Sequence, residues 1–228
     1  MGNTTFTKRQ RFPILISGLE GVGKTTIAFR LSLNKTVTTV PTVSFESVSV
    51  KSTLYKFDVQ DLGGQTMLYH LWSLYYKNST GIVYVVDSSR GDLAMRASVR
   101  LLKDMLSHAD LNGLPLLVLV NKQDLEWSKS TKEIADMLNI ESIRRNRPVH
   151  ICGCCGITGE GLSDAFRWLY ESIYIKYISD GSWVTKRLSP RAMRRLSSSR
   201  RSFRGDDDFV NEKIKNADNS SSSVRACA

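Results

Sequence analysis

The chain has 228 residues, of which 41% are apolar, enough for the core of one globular domain with an extension. Its longest apolar run covers residues 114–120, and no run reaches the roughly 18 residues of a transmembrane helix. Residues 4–11 are polar and basic, unlike the apolar stretch of a secretory signal. These features argue against a membrane-spanning or secreted chain and predict a cytoplasmic protein.

The formal net charge of +10 lies mainly at the two ends of the chain. Residues 181–228 carry eleven Lys and Arg against five Asp and Glu, which is +6, and Lys8, Arg9 and Arg11 add +3. The sequence between them is nearly neutral. This distribution argues against nucleic-acid binding by the folded part of the chain.

Apolar, β-branched runs alternate with helical patterns along residues 12–180. Strands are predicted at Phe12–Ser17, Phe45–Val50, Tyr55–Val59, Gly81–Asp87, Leu116–Asn121 and Val149–Cys152. Helices are predicted at Lys24–Asn34, Met67–Lys77, Leu93–His108, Thr131–Leu138 and Leu162–Ile178. The second and third strands are joined too closely for a crossover, so they should form an antiparallel edge hairpin. The predicted fold is α/β: a six-stranded, mostly parallel sheet with helices on both faces.

Three regions are predicted: an N-terminal segment at 1–11, a globular domain at 12–180 and a tail at 181–228. The tail is rich in Ser, Arg and Asp and lacks periodicity, so we predict that it is disordered.

The cysteines have two interpretations. Cys152, Cys154 and Cys155 are too close in sequence to bridge one another easily, and Cys227 lies at the far end. They are either reduced structural thiols or, with His150, ligands of a metal ion. No second pair of ligands completes a tetrahedral site, which favours the thiols.

Residues 18–25, GLEGVGKT, fit the phosphate-binding pattern GxxxxGK[ST] between a predicted strand and a predicted helix. Such a loop turns its backbone N–H groups toward a phosphate at a helix N-terminus. Lys24 is predicted to reach the β- and γ-phosphates, and the Thr25 hydroxyl to bind Mg²⁺. Nucleotide contacts are predicted for Gly18, Leu19, Glu20, Gly21, Val22, Gly23, Lys24, Thr25 and Thr26.

The tetrapeptide NKQD at 121–124 selects the base. It follows a buried strand, at the edge where open α/β sheets bind ligands. The Asp124 carboxylate can accept the N1–H and the exocyclic amine of guanine, whereas adenine has no N1 donor. Asn121 is predicted to tie this loop to the phosphate loop, and the Lys122 stem to pack on the base. The predicted ligands are therefore GTP and GDP with Mg²⁺.

Two further segments are predicted to contact the γ-phosphate. Asp61 would hold Mg²⁺ through water, the Gly64 amide would meet the γ-phosphate, and Gln65 would orient the attacking water as the catalytic residue. Thr42 offers a second hydroxyl to Mg²⁺. Loss of the γ-phosphate would release both segments, which is how such loops switch.

These motifs resemble those of the ADP-ribosylation-factor (Arf and Arf-like) family of small GTPases, over residues 12–175. The resemblance rests on GLEGVGKTT, PTVSFE, DLGGQ, LWSLYY, VVDSS, NKQDL and CCGITGEGL. It implies the small G protein variant of the P-loop fold, a monomer, and backbone contacts from Cys155 and Gly156 to guanine O6. It also implies slow GTP hydrolysis, an exchange factor, a GTPase-activating protein, effectors that bind the switch regions, and a role in membrane traffic or signalling.

Some positions depart from the family pattern. Ser44 and Glu46 replace the usual Gly and Asn, and Glu20 replaces an Asp in the phosphate loop. Gln60 replaces a Trp that, in the family, forms an effector-binding aromatic triad with residues matching Phe45 and Tyr75. None of these changes removes a predicted nucleotide contact, but effectors known for the family need not bind here.

The two ends offer candidate membrane signals. Gly2 begins a partial myristoylation motif, although Phe6 stands where Ser or Thr is preferred; the alternative is an unmodified terminus. Residues 186–204 hold eight Lys and Arg and no acid, which suits an anionic membrane; the alternatives are an inert tail or contact with nucleic acid. We expect a peripheral protein on the cytosolic face of an intracellular membrane.

The residues leave a choice of function. A hydrolysing switch that uses Gln65 is the first hypothesis, and a nucleotide-dependent binding module or scaffold with negligible hydrolysis, regulated by exchange or tail phosphorylation, is the second. A P-loop kinase is a third, which NKQD argues against.

Overall fold

A computed structural model describes residues 12–33, 46–51, 56–61 and 72–179, and the fold below refers to them. The strands are β1 (Phe12–Ser17), β2 (Glu46–Lys51), β3 (Lys56–Asp61), β4 (Gly81–Asp87), β5 (Leu116–Asn121) and β6 (Val149–Gly153). They form one six-stranded sheet in the order β2-β3-β1-β4-β5-β6. Only β2 and β3 pair antiparallel; every other pair in the sheet is parallel. The predicted α/β P-loop class, with its antiparallel edge hairpin, is confirmed.

Helices lie in most of the connections between strands, and one follows the last strand. They are α1 (Lys24–Leu33), α2 (Ser73–Tyr76), α3 (Asp92–Leu106), α4 (Thr131–Leu138), α5 (Ile140–Arg144) and α6 (Leu162–Ser179), with a 3₁₀ turn at Ala109–Leu111. The predicted helix Met67–Lys77 is described only over its last part, since residues 67–71 lie outside the described ranges. Helix α5 was not predicted: it has five residues and follows Asn139, whose left-handed φ of 53° ends α4.

The sheet is buried on both faces. Because successive side chains of a strand point to opposite faces, neighbouring residues enter different core clusters. Ile14 and Ile16 of β1 pack in a cluster with Phe166 of α6, whereas Leu15 between them packs in the opposite cluster with Ile134 of α4. All seven residues of β4 are buried. Both faces are thus closed, which leaves the carboxyl edge of the sheet as the place for a ligand.

The cysteine cluster lies on β6 and the loop after it. Cys152, Cys154 and Cys155 form no disulfide, and burial raises the pKa of the Cys152 thiol to about 11 and also raises that of Cys154. Burial lowers the pKa of His150, whose ring packs 5.1 Å from that of Trp168. The described residues contain no group of three His, Cys, Asp or Glu that could hold a metal ion.

None of the helices within the described ranges combines the length and the apolar content needed to cross a membrane.

Candidate nucleotide-binding site

The loop between β1 and α1 has a backbone that only glycine fits at two points. Gly18 has φ +144°, and a Cβ there would lie 2.3 Å from the carbonyl oxygen of Val85. Gly23 has φ +96°, and a Cβ there would lie 2.4 Å from Nδ2 of Asn121. Both distances are shorter than a Cβ contact allows, so the two glycines let the loop curl against β4 and the end of β5.

The carbonyl oxygens of this loop are anchored by the rest of the chain. Nζ of Lys24 donates to the carbonyls of Gly18 (3.0 Å) and Leu19 (2.8 Å). Nη2 of Arg90 donates to the carbonyl of Glu20 (2.8 Å), and Nδ2 of Asn121 donates to that of Val22 (2.8 Å). The N–H of Ile27 donates to the carbonyl of Gly23 (3.0 Å). A trans peptide points its C=O and N–H in opposite directions. Anchored carbonyls therefore leave the following N–H groups directed away from these donors, which is the arrangement of an anion-binding loop.

Asn121 joins three loops, including the contact that its sequence motif predicted. Its Nδ2 donates to Val22 of the phosphate loop at 2.8 Å, and its Oδ1 accepts the N–H of Gly156 at 2.8 Å. The Cys154 thiol lies 3.7 Å from the same oxygen. Since Asn121 is only 3% exposed, it fixes the phosphate loop, the NKQD loop and the loop after β6 as one unit.

The side chains predicted to read the base lie on a tight turn after β5. Asp124 is exposed at this turn, where its carboxylate is open to a ligand. Lys122 has φ +69°, a left-handed backbone that few residues other than glycine adopt. Its ammonium group lies 2.7 Å from Oδ2 of Asp87, so an ion pair fixes the direction of the Lys122 stem, which was predicted to pack on the base.

Asp87 was not singled out by sequence reasoning, yet it organises this edge. Its Oδ1 accepts the N–H of Ser89 at 3.1 Å and the Ser89 hydroxyl at 2.6 Å, and its Oδ2 accepts Nε of Arg90 at 3.1 Å. Burial raises the pKa of the Asp87 carboxyl, but the bonds from Lys122 and Ser89 outweigh it and hold this pKa below its usual value. Asp87 is therefore an anion at neutral pH. The sequence does contain a signal for Asp87, because this acidic residue ends the apolar strand β4 at the edge where a ligand is expected.

Gln123 is a second residue that the sequence reasoning left without a role. Its amide donates to the Ser88 hydroxyl at 2.9 Å and to the carbonyl of Lys129 at 3.0 Å. Its backbone N–H donates to the carbonyl of Cys154 at 3.2 Å. Gln123 thus braces the turn that presents Lys122 and Asp124, which is a positioning role.

The structure describes some of the other predicted residues and leaves others outside its described ranges. Cys155 and Gly156 lie on the loop held by Asn121, and Thr25 and Thr26 lie in the first turn of α1. Asp61 ends β3 beside Ile16 of β1, close to the start of the phosphate loop, although its side chain lies outside the described set. The predicted site residues Gly2, Thr42, Gly64 and Gln65 lie outside the described residues. The hydroxyl of Thr25 and the carboxylate of Asp61 are oxygen donors of the kind that Mg²⁺ prefers.

Comparison with known proteins gives a consistent result. Residues 2–173 match the ADP-ribosylation factor family. The chain is 38% identical over 160 residues to ADP-ribosylation factor-like protein 14 of Mus musculus, covering 69% of this chain and 83% of that protein. It is 41% identical over 163 residues to ADP-ribosylation factor-like protein 1 of Caenorhabditis elegans, covering 72% and 89%.

A solved structure shares the architecture. The Arl6 BBS3 small GTPase from Trypanosoma brucei, solved with the bound nucleotide analogue GppNp, matches with a TM-score of 0.67 and 28% identity. The match covers 73% of this chain and 99% of that one.

Proposed function

Because this chain belongs to the ADP-ribosylation factor family, we propose that it is a molecular switch whose GTP and GDP states present different surfaces to effector proteins. The chain is a small GTPase that uses GTP and GDP with Mg²⁺, as its family does. The observation that carries the proposal is the buried side chain of Asn121. It joins the phosphate loop (residues 18–25) to the NKQD loop (residues 121–124), called the guanine-reading loop from here on.

The proposed roles of the site residues rest on the sequence motifs and, for the phosphate loop and Asn121, on the contacts described for them. The N–H groups of the phosphate loop bind the β-phosphate. Lys24 binds the terminal phosphates, and Asp124 binds the guanine edge. Thr25 and Thr42, and Asp61 through water, would hold Mg²⁺, which would supply positive charge beside the phosphate oxygens. Gly64 donates its N–H to the γ-phosphate and Gln65 orients the attacking water, so the segments carrying Thr42 and Gly64 respond to loss of that phosphate.

Regulation by other proteins follows from slow intrinsic chemistry. We propose that an exchange factor loads GTP, that an activating protein accelerates hydrolysis, and that effectors bind the switch segments of a monomeric chain. Because Gln60 stands in β3 where the family has Trp, the effectors of this chain should recognise a more polar surface there.

Replacing Gln65 by Leu tests the enzymatic switch against the binding module. Loss of a group that positions the nucleophile should slow single-turnover GTP hydrolysis about 10²-fold, because a misplacement of about 1 Å between reacting groups costs a factor of this size. The measurement is the rate of phosphate release from preloaded GTP at saturating Mg²⁺. Gln60→Leu, a nearby glutamine outside the proposed chemistry, should retain the parent rate. Equal rates for the Gln65→Leu variant and the parent would favour the binding module.

We propose that the chain acts at the cytosolic face of an intracellular membrane, in traffic or signalling. The basic run at 186–204 supports this, since each Lys or Arg near an anionic surface contributes about 1 kcal/mol. Gly2 is the proposed acylation site, which the intact mass of protein from eukaryotic cells would reveal. A single acyl chain binds marginally, so the two signals would act together.

Vesicle flotation tests the basic run. The chain should float with vesicles that contain anionic phosphatidylserine and not with neutral vesicles, and high salt should release it. Four substitutions, Arg194→Ala, Arg195→Ala, Arg200→Ala and Arg201→Ala, should together weaken binding by about 10²–10³-fold. Equal flotation of parent and variant, or equal binding to neutral vesicles, would contradict an electrostatic anchor.

A further inference from the structure

Arg90 contacts the phosphate loop directly and is linked to the guanine-reading loop (residues 121–124) through Asp87, which pairs with Lys122. Its Nη2 donates to the carbonyl oxygen of Glu20 at 2.8 Å, and its Nε donates to Oδ2 of Asp87 at 3.1 Å. The same Oδ2 lies 2.7 Å from Nζ of Lys122. We infer that Arg90 is a positioning residue that holds the phosphate loop against the guanine-reading loop and thereby slows nucleotide release. The inference rests on the proposed nucleotide site.

The contact requires an arginine. A guanidinium carries separate N–H groups on a rigid planar fork, so it donates to two acceptors at once in fixed directions. Here one acceptor is a backbone carbonyl and the other is a carboxylate 67 residues further along the chain. A lysine would place one ammonium group near either acceptor, but it would not hold both at their present separation.

The phosphate loop leaves room for this guanidinium. A Cβ on Gly21 would lie 2.8 Å from Nη2 of Arg90, closer than such a contact allows. The missing side chain of Gly21 therefore leaves the space that the guanidinium occupies.

Arg90 complements the buried bridge made by Asn121. Asn121 holds the carbonyl of Val22 from within the fold, and Arg90 holds the carbonyl of Glu20, two residues earlier, from the outer side. Asp87 is only 2% exposed, so the carboxylate end of the Arg90 bridge is a rigid anchor. Without Arg90 the loop would pivot about Val22, and the N–H groups that hold the β-phosphate would lose their alignment.

The effect should be moderate because the Arg90 side chain is 37% exposed and partly screened by water. Replacing Arg90 by Ala should accelerate release of GDP about threefold to tenfold, the range expected for loss of one partly exposed charged bridge. Arg90→Lys should fall between the parent and Arg90→Ala. The fraction of chain that binds nucleotide at saturating GDP should remain that of the parent, since the buried bond from Asn121 to Val22 still holds the phosphate loop.

The test measures release of a fluorescent GDP analogue from the full chain after addition of excess GDP, with Mg²⁺ present. The matched control is Arg100→Ala on α3, whose exposed side chain lies 4.0 Å from Asp104 and away from both loops. Faster release by Arg90→Ala, with partial recovery by Arg90→Lys and none of the effect in the control, supports the inference.

Three outcomes would overturn it: parent and Arg90→Ala rates within about 1.5-fold, the same acceleration in Arg100→Ala, or full recovery by Arg90→Lys. A change in the bound fraction without a change in release rate would indicate a merely structural role. If Arg90→Ala does not fold, Arg90→Gln replaces it beside Arg90→Lys. A parent chain that binds no GDP overturns the proposed nucleotide site itself, whereas the release comparison overturns the role of Arg90 alone.

Discussion

Replacing Asp124 by Asn should weaken GDP binding by about 10²–10⁴-fold and create affinity for xanthosine diphosphate. In the proposed site the carboxylate of Asp124 accepts two hydrogens from guanine, and hydrogen bonds to a charged group contribute about 1.5–3 kcal/mol each. An asparagine keeps one acceptor oxygen for N1–H but points its amide N–H groups at the guanine amine, which is also a donor. Xanthine has a carbonyl there, so the same amide becomes a matched donor.

The structure makes this change local. Asp124 is exposed on a turn whose conformation is set by Gln123 and Lys122, neither of which contacts the Asp124 side chain through the bonds described above. Competition calorimetry with GDP, ADP and xanthosine diphosphate measures the change. Asp136→Asn, at an exposed position on α4, is the control and should bind GDP as the parent does. An Asp124→Asn variant that retains the parent's affinity for GDP would mean that another group reads the base.

The central elements were predictable because sequence pattern and packing agree there. The apolar runs of β1, β4 and β5 are buried on both faces, and the glycines of the phosphate loop mark the turn between β1 and α1. The edge hairpin was placed less well: β3 runs from Lys56 to Asp61, whereas Tyr55–Val59 was predicted. The end of β3 is set by its pairing with β2, where Glu46 lies opposite Asp61. These two residues are charged, so a search for apolar runs does not detect this pairing.

The contact of Asn121 with the phosphate loop was predictable from the motifs, but the residues that position the two loops were not. GxxxxGK[ST] and NKxD identify the groups predicted to contact a nucleotide, because each motif is local in sequence. The Arg90 contact with Glu20 spans 70 residues and depends on how the loop after β4 approaches the phosphate loop. Gln123 occupies the variable position of its motif, so the pattern itself assigns it no role. Such contacts follow from the tertiary arrangement alone.

Replacing Asn121 by Ala should cause the other large loss. The change removes the donor to Val22 and the acceptor for the Gly156 N–H, both at 2.8 Å in a buried environment. Each unsatisfied buried backbone group costs about 1–3 kcal/mol. Because both groups belong to nucleotide-binding loops, we expect this cost of about 2–6 kcal/mol to be divided between the free energy of unfolding and that of GDP binding. Thermal unfolding with and without GDP, together with GDP titration, measures both parts.

A second substitution separates the two bonds. In Asn121→Asp, one carboxylate oxygen still accepts the Gly156 N–H, but the other faces the carbonyl of Val22, which it repels. If the phosphate-loop bond dominates, Asn121→Asp should lose at least as much GDP affinity as Asn121→Ala. If the bond to Gly156 dominates, Asn121→Asp should retain much of the GDP affinity that Asn121→Ala loses. Asn146→Ala, at an exposed turn position, controls for loss of an asparagine. GDP affinity unchanged in both Asn121 variants would show that the phosphate and base loops keep their arrangement without this side chain, which contradicts the observation on which the proposed switch depends.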